Sequence, residues 1–215
     1  PQTMQQKTLD LIGRRHTVEE TVQAFQLARE IGFDNINMDL IAGLPEETPA
    51  DMADTLRQIE ELMPDSLTVH ALAMKHGSRL SRERAEAGER PNYKQMAVEL
   101  EEMIHMAADS ARKMGLLPYY LYRQKNIAGN FENVGYAKVD KAGIYNILIM
   151  EEKQSIVAAG AGASTKVVLP YEIPAPGSKN GRKTNLIRIE NVRDVNEYIT
   201  RIDEMIERKG EWLWR

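Results

Sequence analysis

Residues 28–45 read AREIGFDNINMDLIAGLP, and this stretch decides the fold. Its first residues complete an apolar pattern of helical spacing, and Gly32 is the residue type that stops a helix. Ile36 to Ile41 then forms the short apolar run of a buried strand, which the turn residues Gly43 to Pro45 end. A helix, a strand and a tight turn joined by short connections predict parallel βα architecture.

Helical and strand patterns alternate on both sides of this stretch. Thr17 with Glu20 forms the sequence of a capping box, and Thr48 with Pro49 carries the signal for a second helix start. The pattern predicts three further elements: a strand over 66–73, a helix over 93–114 and a strand over 116–122. The first half of the chain is therefore predicted to be α/β.

The composition changes in the second half of the chain, which is predicted to be α+β. Residues 124–138 are rich in Asn, Gly and Tyr, and this predicts a loop over a site. Two apolar runs, Ile144 to Met150 and Ser155 to Ala159, are predicted to pair as a hairpin. Residues 185–190 alternate as a strand, and a closing amphipathic helix is predicted from Val195 to Ile206.

The composition is that of an ordinary globular protein, with 215 residues, 42% hydrophobic and 28% charged, and a formal net charge of −4. That charge argues against a general nucleic-acid binder. With no cysteine, the chain offers no thiolate nucleophile, thiolate zinc site or cysteine ligand for an iron–sulfur cluster. No apolar run approaches the ~20 residues of a membrane span, so we expect no membrane partner and a cytoplasmic location. The opening residues PQTM lead us to expect a piece of a longer protein.

Asp39 lies near the carboxyl end of the predicted strand Ile36 to Ile41, where parallel βα sheets hold their ligands. A carboxylate at that edge suits a ribose hydroxyl or an amine, and a strand-end Asp that caps a neighbouring loop is equally consistent with the sequence. His70 and Ala73 end the next strand at the same edge. A lone His in such a position is more often packed or hydrogen-bonded than catalytic.

Arg14 and Arg15 place positive charge just before a helix, opposite to the preference of the helix dipole. They indicate a nearby anionic ligand or carboxylate, or else arginines solvated on a loop. Tyr119 to Lys125 concentrates three tyrosines and two cations, which would flank a flat ligand bearing carboxylates or form an ordinary aromatic strand face. Gly160 to Thr165 lacks the third glycine of a dinucleotide-binding fingerprint, so we predict a tight glycine turn.

Several stretches resemble a known family. Residues 12–17, IGRRHT, and residues 28–45 closely resemble the oxygen-independent coproporphyrinogen III oxidase family of radical S-adenosylmethionine (SAM) enzymes. Residues 122–126, YRQKN, residues 133–136, NVGY, and residues 160–164, GAGAS, are similar to the coproporphyrinogen dehydrogenase branch of Firmicutes-type bacteria. The resemblance extends over essentially the whole chain.

The resemblance implies an α/β fold in two parts. Residues 1–123 would form the later strands and helices of a partial (β/α)6 radical SAM barrel, and residues 124–215 a smaller, family-specific α+β domain. In this family SAM binds at the carboxyl ends of the barrel strands. A loop of the form Cys-x3-Cys-x2-Cys near the start of the barrel ligates a [4Fe–4S] cluster, and this chain does not contain that loop.

Carried over residue by residue, the resemblance implies that Gln2, Arg14, Asp39 and Ala73 bind SAM. A carboxylate suits the ribose or amine of SAM, and a guanidinium suits its carboxylate. A further family contact is apolar, and Lys166 stands at that position here. No catalytic residue and no metal ligand is assigned within this chain.

The implied reaction is the oxidative decarboxylation of coproporphyrinogen III to protoporphyrinogen IX in heme biosynthesis. A reduced cluster cleaves SAM to a 5′-deoxyadenosyl radical, which removes hydrogen from a propionate side chain before carbon dioxide and an electron are lost. The partners are then a tetrapyrrole substrate and a reduced electron donor of the flavodoxin or ferredoxin type. Arg123 and Lys125 are candidate contacts for the propionates.

Two other functions are open at this point. A relative in the same superfamily is a heme-binding chaperone that does not turn over coproporphyrinogen, and it shares the barrel motifs. Alternatively, the chain is a stable structural module without activity of its own, since it has no cluster cysteines. Such a module is expected to associate with itself, because missing strands would leave a sheet edge and apolar surface uncovered.

Overall fold

The computed structural model describes residues 1–72, 93–122, 133–178 and 180–214. The chain divides into two compact units, Pro1–Gly143 and Ile144–Arg215. Within the described ranges, no helix is both long enough and apolar enough to cross a membrane.

The described residues of the first unit form four helices and four strands. In chain order these are α1 (Gln6–Leu11), α2 (Val18–Glu30), β1 (Asn37–Ala42), α3 (Pro49–Leu62), β2 (Ser66–Ala71), α4 (Tyr93–Lys113), β3 (Leu117–Tyr122) and β4 (Asn133–Ala137). The helices and strands that the sequence predicts before residue 123 are confirmed, with small shifts at their ends.

Local sequence signals set the ends of these helices. Thr17 Oγ1 accepts a hydrogen bond from the Glu20 backbone N–H at 3.0 Å, and the Glu20 carboxylate accepts one from the Thr17 N–H at 2.8 Å. Thr48 and Asp51 form the same reciprocal capping box at the start of α3. Gly32 follows α2 with a φ of 98°, a left-handed conformation that glycine adopts without steric cost. The predicted capping residues and helix stop are confirmed.

The four strands form one mixed sheet in the order β1-β2-β4-β3. β1 and β2 are parallel neighbours, with Asp39 beside Thr68 and Ala42 beside Ala71. β4 is antiparallel to both β2 and β3, so β3 runs parallel to β2 with an opposed strand between them. Three strands, β1, β2 and β3, are therefore parallel to one another, as in a βα barrel. The fourth strand, β4, lies between β2 and β3 and is antiparallel to both.

One face of this sheet carries the hydrophobic core. Leu40 and Leu67 are fully buried there, and α2, α3 and α4 supply Phe25, Ile59 and Met103 to the same cluster. Burying a side chain of this size stabilises the fold by roughly 1.5–3 kcal/mol. Because side chains alternate along a strand, the residues between these core positions point to the opposite face.

The predicted polar loop over residues 124–138 is wrong in its described part. Residues 133–137 form β4, and four of these five residues are buried. Residues 124–132 lie outside the described residues. The first compact unit runs to Gly143, and β4 belongs to its sheet. The domain boundary at residue 123 stays a prediction.

Long-range contacts explain why so polar a segment forms a buried strand. The Asn133 side-chain oxygen accepts a hydrogen bond from the Ala71 backbone N–H at 2.9 Å, so the amide continues the pairing with β2. Gly135 provides room for the Tyr120 ring, which a Cβ at that position would overlap. The polar and small residues of β4 therefore serve strand pairing, which composition alone does not reveal.

The described residues of the second unit form a two-stranded sheet and three helices. In chain order these are α5 (Ile144–Met150), β5 (Ser164–Pro174), β6 (Lys183–Glu190), α6 (Val195–Thr200) and α7 (Ile202–Leu213). β5 and β6 are antiparallel and shift register between Val168 and Ile173. Pro170 lies within this irregularity, where a strand tolerates a residue without an N–H. Val167 and Ile187 pack together as the centre of a small core.

The predicted hairpin between residues 144–150 and 155–159 is wrong, because residues 144–150 form helix α5. A seven-residue apolar run is compatible with a short helix or a strand, and its pattern does not distinguish them. In the second run, Ile156 makes an isolated antiparallel bridge to Lys166. The strand over 185–190 and the closing helix are confirmed, with that helix divided into α6 and α7.

Asp65 joins three elements at the amino-terminal end of β2. Its carboxylate is 7% exposed and lies 2.6 Å from Arg29 Nη1 of α2 and 3.1 Å from Lys138 Nζ, which follows β4. The Ile36 backbone N–H, just before β1, donates to the same carboxylate at 3.0 Å. Burial raises the pKa of Asp65, but these hydrogen bonds outweigh burial and lower the pKa to about 2.

We expect Asp65→Asn to lower the free energy of unfolding of the first unit by about 2 kcal/mol at neutral pH. The carboxyl pKa falls from 3.8 to about 2 on folding, and each pKa unit corresponds to about 1.4 kcal/mol. Because the folded pKa is the lower one, the stabilisation is complete above about pH 4 and is lost as the pH falls toward about 2. Denaturant unfolding followed by circular dichroism at both pH values measures the effect.

Asp109→Asn is the matched control, because Asp109 forms an exposed ion pair with Arg112 on α4. Such pairs contribute little, so the control should leave the free energy of unfolding nearly unchanged. Equal losses in the two variants would contradict the role of Asp65. A loss from Asp65→Asn that stays the same at acidic pH would contradict it as well.

Candidate functional site

The face of the first sheet opposite the core is polar. The register places one row of residues across the four strands on this face: Asp39 of β1, Thr68 of β2, Gly135 of β4 and Tyr120 of β3. Asn37 lies two residues before Asp39, on the same face of β1, and both side chains are exposed. We call Asn37, Asp39, Thr68 and Tyr120 the open-face cluster.

Hydrogen bonds connect the open-face cluster. Thr68 Oγ1 donates to Asn37 Oδ1 at 3.2 Å, and Asn37 Nδ2 donates to Asp39 Oδ1 at 2.7 Å. Thr68 is buried, whereas Asp39 is exposed at the other end of this series of bonds. The Asp39 carboxylate is therefore held on one side and is accessible to a ligand on the other.

Tyr120 ends the row on β3. Its ring lies over Gly135, where any side chain would overlap it. Burial raises the pKa of Tyr120, the hydrogen bond with Thr68 lowers it, and the negative charge of Asp39 raises it. The net pKa lies above the ordinary value for tyrosine, so the hydroxyl is protonated at neutral pH.

The segment Pro1–Met4 lies beside the carboxyl-terminal half of β1. The Gln2 carbonyl oxygen accepts a hydrogen bond from the Ile41 N–H at 2.9 Å. The Gln2 side-chain oxygen is buried and has no hydrogen-bond partner among the described residues. A buried amide oxygen without a partner is energetically costly.

Arg14 follows α1. Its backbone N–H donates to the Leu9 carbonyl at 2.9 Å, across a glycine with a φ of 73°. The charged side chains of Asp39 and Arg14 both lie within electrostatic reach of Pro1, next to Gln2.

Glu47 holds the Pro1–Met4 segment in place, and sequence reasoning missed it. Glu47 is 8% exposed, and its carboxylate accepts a hydrogen bond from Thr3 Oγ1 at 2.6 Å. The Thr55 hydroxyl of α3 accepts the Met4 N–H at 3.2 Å and adds a second link. Burial raises the pKa of Glu47, and the hydrogen bond from Thr3 lowers it. The pair of glutamates after the glycine–proline turn is the available sequence signal, and it does not show which of them is buried.

Three further predicted positions, Ala73, Arg123 and Lys125, lie outside the described residues. Lys166 lies in β5 of the second unit, where its ammonium is 3.9 Å from the Glu152 carboxylate. In the described part of the chain, no group of three or more His, Cys, Asp or Glu side chains is arranged to hold a metal ion.

The first unit matches a known class of protein. The family model of the Radical SAM superfamily matches residues 1–59. The solved coproporphyrinogen III oxidase of Escherichia coli, a radical SAM enzyme, aligns with a TM-score of 0.63 over 95% of this chain and 42% of that chain, at 18% identity. At that identity the likeness concerns the fold, and it confirms the predicted α/β class with part of a radical SAM barrel.

The relatives define the family more closely. The chain is 40% identical over 216 residues to the oxygen-independent coproporphyrinogen-III oxidase-like protein HemZ of Bacillus subtilis strain 168, covering 99% of this chain and 39% of that protein. It is 35% identical over 71 residues to the heme chaperone HemW of the same organism, covering 33% of this chain and 19% of the chaperone. The chain belongs to the radical SAM family of the coproporphyrinogen III oxidases and their relatives. It spans about two fifths of the length of the relative that it matches throughout.

Proposed function

We propose that the open face of the first sheet binds SAM and that the chain is part of a radical SAM oxidoreductase. Its reaction is the oxygen-independent oxidative decarboxylation of coproporphyrinogen III to protoporphyrinogen IX, a step of heme biosynthesis. The observation that carries the proposal is that Gln2 pairs with β1, the strand of Asp39, while Arg14 lies within electrostatic reach of the neighbouring Pro1. Gln2, Arg14 and Asp39 come from three separate stretches of sequence, and the family resemblance assigns the same residues to SAM.

Two of these side chains match different groups of SAM. The exposed Asp39 carboxylate is suited to accept hydrogen bonds from ribose hydroxyls or to pair with the ammonium. The Arg14 guanidinium is suited to the carboxylate, which it can bind through two parallel hydrogen bonds. Gln2 and Ala73 join this set through the resemblance.

Cofactors carry the difficult chemistry in this class of enzyme. SAM, bound beside a reduced [4Fe–4S] cluster, supplies the hydrogen abstraction. Since the 215 residues contain no cysteine, we propose that the cluster ligands come from a part of the protein outside this chain. The contribution of this chain is to bind and orient the ligand and to exclude water around it. A reduced donor of the flavodoxin or ferredoxin type completes the proposed partners.

The extent of the matches favours the oxidase-like branch over the heme chaperone. The oxidase-like relative matches 99% of this chain, whereas the chaperone matches 33% of it. The longer match includes the second half of the chain, where the sequence predicts the two branches to differ. This supports the oxidase-like branch in the proposal.

We expect Asp39→Ala to weaken SAM binding by this chain roughly 10- to 100-fold. The substitution removes an acceptor that is charged, and hydrogen bonds to charged groups contribute roughly 1.5–3 kcal/mol each. Isothermal titration calorimetry with SAM measures the change. Asp109→Ala on α4 is the control and should bind as the unsubstituted chain does. Unchanged affinity in Asp39→Ala would remove this residue from the site.

The reaction is tested with the longer protein that carries the cysteine loop. After anaerobic reconstitution of the cluster, it is incubated with SAM, reductant and coproporphyrinogen III, and 5′-deoxyadenosine and tetrapyrroles are followed together. We expect protoporphyrinogen IX to form in step with SAM cleavage. Cleavage without decarboxylation would point to another substrate, and heme binding with neither product would favour the chaperone function.

We further propose that Arg123 and Lys125 contact the substrate propionates. In the same assay, the double charge reversal Arg123→Glu with Lys125→Glu should raise the KM for coproporphyrinogen III more than about tenfold, because attraction becomes repulsion. SAM affinity should stay unchanged. Lys113→Glu on the exposed surface of α4 is the matched control. A KM that does not respond to the reversal would remove both residues from the substrate site.

A further inference from the structure

Thr68 is the buried start of a hydrogen-bond series that ends at the exposed Asp39 carboxylate. Its hydroxyl donates to Asn37 Oδ1 at 3.2 Å, and Asn37 Nδ2 donates to Asp39 Oδ1 at 2.7 Å. Thr68 is 3% exposed, so a ligand on the open face does not reach it. The Thr68 hydroxyl acts on such a ligand through Asn37, which it contacts directly.

Thr68 anchors the Asn37 amide at the end away from Asp39. An asparagine amide has two orientations that exchange its oxygen and its nitrogen. The Asp39 carboxylate only accepts hydrogen bonds, so it favours the orientation in which the amide nitrogen faces it. The amide oxygen then faces Thr68 and accepts the hydroxyl hydrogen. This second bond fixes the amide at its other end, so the amide is held between Thr68 and Asp39.

The Thr68 end of this series is buried. Thr68 is 3% exposed, and the Tyr120 ring lies over Gly135, the neighbour of Thr68 in the same row. Hydrogen bonds that are shielded from water are stronger and better ordered than exposed ones. The Thr68 end is thus rigid, while the Asp39 end meets the solvent.

We infer that Thr68 is a positioning residue of the proposed SAM site: through Asn37, it holds the Asp39 carboxylate in the orientation that receives a ribose hydroxyl or an ammonium group. The inference rests on the proposed SAM site and extends it to a residue that touches no ligand. A carboxylate that is already ordered loses less freedom when the ligand binds, so affinity rises.

Two substitutions at Thr68 distinguish the effect of its hydroxyl group from the effect of its side-chain shape. Thr68→Val removes the hydroxyl and keeps the branched side chain, whereas Thr68→Ser keeps the hydroxyl and removes the methyl group. We expect Thr68→Val to weaken SAM binding roughly fivefold to tenfold, and Thr68→Ser to bind within about twofold of the unsubstituted chain. Calorimetry measures the affinities, and thermal unfolding shows whether each variant is folded.

A double-mutant cycle assigns the effect to Asp39. In the Asp39→Ala background, Thr68→Val should cause no further loss of affinity, because the carboxylate that Asn37 orients is absent. The same loss in both backgrounds would overturn the positioning role. Equal losses from Thr68→Val and Thr68→Ser would overturn it too, since only the first removes the hydroxyl.

The titrations also separate this inference from the proposed function. If the unsubstituted chain does not bind SAM, or if Asp39→Ala keeps full affinity, the proposed site and the positioning role are both overturned. If binding depends on Asp39 but not on the Thr68 hydroxyl, the positioning role alone is overturned.

A measurement without ligand gives an independent test. Nuclear magnetic resonance of the Asn37 side-chain amide should show an ordered group in the unsubstituted chain and in Thr68→Ser. In Thr68→Val we expect the amide to become mobile on the picosecond to nanosecond timescale. Equal order in the valine and serine variants would contradict the inference.

Discussion

The buried carboxylate of Asp65 is the constraint on which the first unit depends. A buried charge is tolerated when it is paired, and Asp65 takes its donors from Arg29 of α2, Ile36 before β1 and Lys138 after β4. These donors are far apart in the sequence. One carboxylate therefore brings a helix and two strands to the amino-terminal end of β2, and the other end of β1 is left for the Pro1–Met4 segment.

With the strands held in this way, the two faces of the sheet take different roles. Leu40 and Leu67 face the helices and form the core, so Asp39 and Thr68, at alternate positions, face away from it. Polar groups on this second face satisfy one another through Asn37 instead of being solvated separately. The result is a polar surface whose buried part is ordered before any ligand arrives, which suits a cofactor that has to be oriented.

Much of the fold and part of the site follow from the sequence. The capping box of Thr17 with Glu20, the stop at Gly32 and the strand that carries Asp39 are all predicted, because each depends on residues within a few positions of one another. The family follows from the motif at 28–45 for the same reason. By contrast, the prediction of a strand over residues 144–150 is wrong, because a short apolar run is compatible with both a helix and a strand.

The sequence by itself therefore determined the helix ends, the first parallel strands, the family and the strand that carries Asp39. Only the tertiary structure decided that the polar residues 133–137 form a strand, that Glu47 is buried against Thr3, and that Thr68 lies behind Asn37. The physical reason is distance along the chain. Capping and periodicity act between neighbours, whereas Glu47 and Thr3 are 44 residues apart and Thr68 and Asn37 are 31 apart, so these contacts exist only once the sheet has assembled.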